Sequence, residues 1–353
     1  MTLHTTKTNR QRISKLTKGI VTASVILTTV TTAMFSMVVQ ADDKVYRWRM
    51  QRYTGTETQQ LFKDFAREVR KASEGRLLIN NFSGGELVPN DQLLKATSSG
   101  VMQMSYGYGA YWGGSIDLAR IESGLPLAWT TLDEAKELWF EKGLNELLVD
   151  AYAEHKVRYM TPSFGGDYDL LSKEPITSID DMKKAKIRAT SNVSAVLQKF
   201  DVPTVYLPPE ELYTSMSTNS ISGIIYGSAY DYEQLKLHET AKHYTKLSLL
   251  TPGFVDNILV NQKAWDELPE DLQKILDTAV KKLAENHHNW LVDGAKKTLG
   301  SSIFEVHTLD TADVTKLTDA AQELWGEEAK RSERNAKAID MIKALAENKG
   351  RLK

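Results

Sequence analysis

The chain has 353 residues, 44 Lys and Arg against 46 Asp and Glu for a net charge of −2, and no cysteine. That length, with 41% hydrophobic and 25% charged residues, suits two lobes with buried cores and excludes wholesale disorder or a multispanning membrane protein. The missing sulfur removes disulfides, thiolate metal sites, iron–sulfur clusters, cysteine nucleophiles and lipid attachment through Cys, and the near-neutral charge argues against a nucleic-acid binder, which needs a basic surplus to neutralise phosphates.

Residues 1–18 carry Lys7, Arg10, Arg12, Lys15 and Lys18 without an acid, and an apolar, Thr-rich stretch runs from Gly19 to Val39, ending at Gln40 and Ala41 before Asp42 and Asp43. A basic start, an apolar centre and a small residue at the exit predict a secretory signal peptide over 1–41 and a periplasmic product. The alternative is a retained N-terminal anchor. Cleavage after Ala41 removes five positive charges and no negative ones, taking the net charge from −2 to −7.

From Lys44 short strands alternate with helices. Tyr46, Trp48 and Met50 alternate with Arg47 and Arg49 as in a half-buried strand, and Leu61, Phe62, Phe65, Ala66 and Val69 recur at helical spacing. A strand is predicted over 76–82, a helix over 90–98 and a strand over 101–106. After Gly165 and Gly166 a second series begins: strand 169–172, helix 178–183, strand 186–189, a helix from Asn192, strand 204–207, a helix from Pro209 and strand 223–226. Near Pro252 and Gly253 the chain should cross back, since a strand over 255–260 leads into one long apolar-faced helix from about 269 to 300, and a last helix covers 311–348. No repeat interrupts this order. The pattern predicts an α/β protein with largely parallel sheets in two lobes, 42–165 plus 251–290 forming the first and 166–250 plus 291–353 the second, with the long helix as a spine across both.

Enzyme signatures are absent: there is no Gly-x-Ser-x-Gly elbow, Ser-x-x-Lys, Walker loop or Gly-x-Gly-x-x-Gly. Adjacent His287 and His288 point about 100° apart on a helix and cannot easily share one ion. Two features point to a ligand. The run from Tyr106 to Gly114 (YGYGAYWGG) is too glycine-rich for regular structure and follows a strand, where open α/β sheets bind ligands. Arg188 stands at another strand end, with Ser191 or Asn192 placed to cap the next helix, so a guanidinium and free helix N–H groups share one crevice, a combination suited to a carboxylate.

The run from Pro175 to Arg188 (PITSIDDMKKAKIR) resembles the signature of the DctP-type solute receptors of TRAP (tripartite ATP-independent periplasmic) transporters. So do Leu207 to Tyr213 (LPPEELY), the turn Gly84 to Leu87, the pair Leu125 and Pro126, and Asn261 to Gln273 ahead of the long helix. The resemblance runs in order from about residue 45 to about 300. It implies a two-lobed periplasmic-binding-protein fold, type II-like, that hinges shut on an organic anion and docks on a sodium-driven TRAP permease, with no enzymatic step. It carries the carboxylate clamp onto Arg188, and other contacts onto Tyr226, the loop of Tyr111 and Trp112, and the returning Phe254. Hydrogen bonds are expected from Tyr168, Asn192 and Tyr226. Sialic-acid-type members have a second Arg at the position of Tyr168, which weakens a sugar-acid reading. Keto-acid-type members have a Glu-Trp pair in place of Ile225 and Tyr226, which argues against their ligand-bridging metal ion and leaves Asp256 as the one metal candidate. The expectation is a monomer that binds a small organic acid, no cofactor and no nucleic acid. The rival readings are an exported lyase or hydrolase acting on an acidic substrate in the same cleft, and a sensor partner.

Overall fold

A computed structural model describes residues 44–248 and 253–352. The expected signal peptide over 1–41 and the crossing at Pro252 lie outside the described residues. Strand β1 (Tyr46–Arg52) buries Tyr46, Trp48 and Met50 and exposes Arg47 and Arg49, and α1 (Gln59–Ala72) turns Phe62, Phe65 and Val69 inward. Strand β2 (Leu77–Phe82), helix α2 (Leu93–Ser98) and strand β3 (Met104–Tyr108) follow. β3 starts later than the expected Val101, which is 46% exposed, because pairing with β1 begins at Met104. Three short helices, α3 (Ala119–Glu122), α4 (Leu132–Lys136) and α5 (Leu144–Ala153), lead to β4 (Val157–Phe164).

The second series is β5 (Leu170–Ser172), α6 (Ile179–Lys183), β6 (Ile187–Arg188), α7 (Ser191–Gln198), β7 (Thr204–Val205), α8 (Leu212–Ser217), β8 (Gly223–Ile225), α9 (Ala229–Gln234) and β9 (His243–Lys246). The chain then returns through β10 (Val255–Asn261) and α10 (Gln262–Asp266) into α11 (Glu270–Gly300), and ends with β11 (Glu305–Thr308), α12 (Thr311–Ala329) and α13 (Glu333–Asn348).

Two sheets result, ordered β2-β1-β3-β10-β4 and β11-β9-β5-β8-β6-β7. Both are mixed, which corrects the largely parallel expectation. β10 comes back from the second sheet and inserts antiparallel between β3 and β4, and β5 enters antiparallel to β8 and β9. The two crossings lie side by side, with the Gly165 amide donating to the Phe254 carbonyl at 2.7 Å. Gly253 holds φ +84° there, and a Cβ would run into the Gly166 carbonyl oxygen, so only glycine suits that crossing.

The 31 residues of α11 give a rod about 46 Å long. It packs on α1 and β4 of the first sheet and on α9 beside the second, the expected spine. The expected single helix over 311–348 is two helices. Ser332 interrupts it in extended backbone and caps α13 by accepting from the Asn335 amide at 3.0 Å. α12 packs on α7 and α13 on α5, so the C-terminal pair touches both halves. Among the described residues no helix is long and apolar enough to cross a membrane.

Candidate functional site

Strand β6 is only two residues long, and both are fully buried. Its position beside β8 fixes the Arg188 guanidinium: Nε donates to the Leu207 carbonyl at 2.9 Å and Nη1 to the Ile225 carbonyl at 2.9 Å. Nη2 is buried without a partner. The rings of Tyr206 and Tyr226 flank the cation at 5.4 and 5.3 Å. Burial works against the charge, which the two accepting carbonyls and the two flanking ring faces help to hold. A buried guanidinium with a free nitrogen is costly until an anion completes it.

Arg188 helps to line a small, half-open hollow. Tyr53, Tyr108 and Tyr111 close it from the side of the first sheet, Tyr168 and Tyr226 from the side of the second, and Phe254 from the returning crossing. The rings meet edge to face, Tyr53 with Tyr111 at 5.6 Å, Tyr108 with Tyr111 at 5.3 Å and Tyr168 with Phe254 at 5.9 Å. Burial raises the phenols of Tyr53, Tyr108, Tyr111, Tyr168 and Tyr226, so they stay neutral. Thr190 lines the same enclosure with an unpartnered, buried hydroxyl. The lining therefore offers one positive charge, a spare hydroxyl, neutral phenols and apolar ring faces.

Two more hollows adjoin this cage. One, of about 630 Å³, shares Tyr111 and Thr190 with it and lies between Asp91 and Ala110 on one side and Ser191, Ser194 and Tyr206 on the other. Across it the rings of Tyr111 and Tyr206 meet at 6.0 Å. The other, of about 310 Å³, lies behind Tyr53, Tyr226 and Phe254 and is lined by Glu57, Asp231 and His287. Burial pushes Asp231 up to about 6 and His287 down to about 3. The negative groups thus sit on the far side of an aromatic wall from Arg188.

Of the residues expected from sequence, Arg188, Tyr226, Tyr168, Tyr111 and Phe254 come together in the cage lining, while Trp112 and Asn192 do not. Trp112 is buried, and its indole N–H donates to the Tyr152 hydroxyl at 2.9 Å. Asn192 reaches across to α3: its Nδ2 donates to the carbonyls of Arg120 and Gly124 at 2.7 and 3.0 Å, and its Oδ1 accepts from Arg120 Nε at 3.0 Å. The expected capping position falls on Thr190 rather than on Ser191 or Asn192, with no side-chain cap bond. Asp256 is fully buried outside the lining, accepts from the Tyr53 hydroxyl at 3.3 Å, and is pushed well above the usual carboxylate range by burial. No carboxylate lines the cage, so this donor set does not fit a ligand-bridging hard cation, which prefers charged oxygen ligands. Sequence reading missed Tyr53, Thr190 and Tyr206. Tyr53 and Tyr206 each follow the end of a strand, β1 and β7, and Thr190 stands two residues beyond Arg188 at the end of β6, so a strand-end signal was there for all three.

The DctP family, bacterial extracellular solute-binding protein family 7, matches residues 52–332. A monocarboxylate 2-oxoacid-binding periplasmic protein of Nostoc sp. is 28% identical over 272 residues, covering 74% of this chain and 72% of that protein. The ectoine-binding periplasmic protein TeaA of Halomonas elongata is 25% identical over 300 residues, covering 84% and 85%. A TRAP periplasmic solute-binding protein of Chromohalobacter salexigens, solved with bound (S)-(+)-2-amino-1-propanol, shares the fold with a TM-score of 0.82 at 21% identity, covering 86% of this chain and 96% of that one. With the family match spanning most of the chain and the two-sheet fold shared, the chain belongs to the DctP family and is a TRAP periplasmic solute receptor, which binds its solute without turning it over.

Proposed function

We propose that this receptor captures a small organic acid carrying one carboxylate and hands it to a sodium-driven TRAP permease. The observation that carries this reading is the buried, unpartnered Nη2 of Arg188 in a cage with no opposing carboxylate. The guanidinium takes the carboxylate, Thr190 and the phenols of Tyr168 and Tyr226 supply further hydrogen bonds, and Tyr53, Tyr108, Tyr111 and Phe254 hold the apolar remainder. Short acids are the expected class, in line with the 2-oxoacids named for the Nostoc relative. The lobes in this reading are 42–165 plus 251–290 and 166–250 plus 291–353, with the α12–α13 pair spanning them, and the exported product begins after Ala41. Because the cage draws residues from both lobes, a ligand binds the closed form better than the open one and shifts the hinge equilibrium toward closure.

Calorimetry over 2-oxo acids, hydroxy acids, aromatic acids, dicarboxylates and sulfonates tests the reading. A short monocarboxylate is expected to bind best, and Arg188→Ala to lose on the order of 2–5 kcal/mol, as when one partner of a buried charge pair is removed. Arg188→Lys recovers only part of this, since an ammonium cannot match a carboxylate bidentately. Unchanged affinity in Arg188→Ala would overturn the assignment.

A further inference from the structure

At the outer edge of the second sheet, β11 pairs in parallel with β9, and Glu305 stands in register with His243. Glu305 and His307 are two residues apart on β11, so both project from the same face of the sheet. His243 Nδ1 lies 3.1 Å from His307 Nε2 and 3.3 Å from Glu305 Oε2. Among the described residues this is the cluster of His and acid side chains whose ligand atoms all lie within 4.8 Å of one another. Arg188 is on β6, and β9, β5 and β8 lie between β11 and β6, so the cluster is separate from the ligand cage.

We propose that His243, Glu305 and His307 form a binding site for a transition-metal dication, with Zn²⁺ the expected occupant. Three donors around a tetrahedral ion at about 2.0–2.1 Å stand about 3.3 Å from one another, close to the two separations from His243, and the third pair lies within 4.8 Å. Two imidazole nitrogens and one carboxylate suit Zn²⁺, with Co²⁺ and Ni²⁺ behind it, and do not suit Mg²⁺ or Ca²⁺, which want oxygen ligands. Without an ion, two ring nitrogens facing each other at this distance must share a proton, and the metal takes the place of that proton. The two histidines are half-buried and Glu305 is exposed, which leaves the fourth position to water. The ion clips β11, the short strand that follows the spine helix, to β9, and so fastens an edge that is otherwise held by four register positions.

The test is titration of EDTA-treated full-length protein with ZnCl₂ by calorimetry, with thermal unfolding recorded in parallel. One Zn²⁺ per chain is expected, together with a rise in melting temperature that Mg²⁺ and Ca²⁺ do not reproduce. His243→Ala and His307→Ala should each bind Zn²⁺ more than about tenfold more weakly, having lost one of three donors. Glu305→Gln keeps the pair of histidines and should fall in between. Circular dichroism on each variant establishes that it is folded. Wild-type protein that takes up no Zn²⁺, or a folded His243→Ala/His307→Ala variant that binds it as tightly as wild type, would overturn the proposal.

Discussion

At the scale of single residues, one buried acid behind Trp112 makes the fold sensitive to pH. Glu122 on α3 is fully buried, accepts from the Tyr152 hydroxyl at 2.5 Å and from Asn257 Nδ2 at 2.8 Å, and burial pushes it from 4.5 up to about 7. Tyr152 in turn receives the Trp112 indole, so this network keeps Trp112 out of the cage next to Tyr111. A carboxyl whose folded pKa lies above its unfolded value stabilises the fold when protonated, and that contribution is lost as pH rises through the folded value. For Glu122 the loss continues through pH 7, while Asp169 and Asp231, each raised to about 6, have lost theirs earlier. His287, lowered to about 3, stays neutral throughout. Wild-type melting temperature should therefore fall from about pH 4.5 to about pH 7 and level off above that, a window set by the unfolded and folded values of Glu122, and Glu122→Gln should flatten that fall, most plainly above pH 6, where Asp169 and Asp231 contribute little further change. The full effect is on the order of 3 kcal/mol. The Gln amide can donate to Asn257 Oδ1, which has no partner in the wild type. Parallel pH profiles for the two proteins would remove Glu122 as the source.

At the scale of elements, the two crossings between lobes shape the cage as much as its lining does. The Phe254 ring lies flat against Gly165, where a Cβ would stand 2.8 Å from its ring carbons. Gly165→Ala should push that ring toward Tyr108 and Tyr168 and shrink the enclosure, weakening a bound acid about tenfold, as overpacking by about 1.4 kcal/mol would. Calorimetry on the variant checks this, and unaltered affinity would mean the ring yields in another direction. Elements of this kind were legible in sequence when they carried a full period of pattern. The alternation in β1, the apolar face of α1 and the long stripe of α11 all have enough residues to show one. Helices α3, α4 and α5 do not: the first two are only 4 and 5 residues long, and the three are separated by left-handed turns at Gly124, Leu127 and Gly143. The break between α12 and α13 contains neither Pro nor Gly, and only the capping Ser332 marks it. Arg188 was readable because a strand end dictates where it points. The choice between Tyr111 and Trp112 was not, since both occupy one tight turn over Gly109–Trp112 and only packing decides which ring faces inward.

At the scale of the whole molecule, the proposed function makes binding and closure one equilibrium, and in that reading Asn192 belongs to the closure side. Its amide makes all three of its hydrogen bonds to Arg120 and Gly124 on the opposite half, and Arg120 is held in turn by Glu328 of α12 at 2.9 Å. These bonds exist only when α3 and α7 face each other, so they stabilise the closed form without touching the cage. Intramolecular hydrogen bonds contribute about 1 kcal/mol each net, and water replaces part of that in the open form. Asn192→Ala should therefore lower the closed population and raise the apparent Kd about tenfold, because apparent affinity scales with the competent fraction. The rank order of acids in the calorimetric screen should stay as in wild type, since Arg188, Thr190 and the ring walls are unaltered. Small-angle scattering should show the unliganded variant more expanded than wild type and the saturated variant equally compact. A changed rank order would make Asn192 a ligand contact, as the sequence pattern suggested, and an unchanged Kd would place the closing energy in the ligand contacts alone.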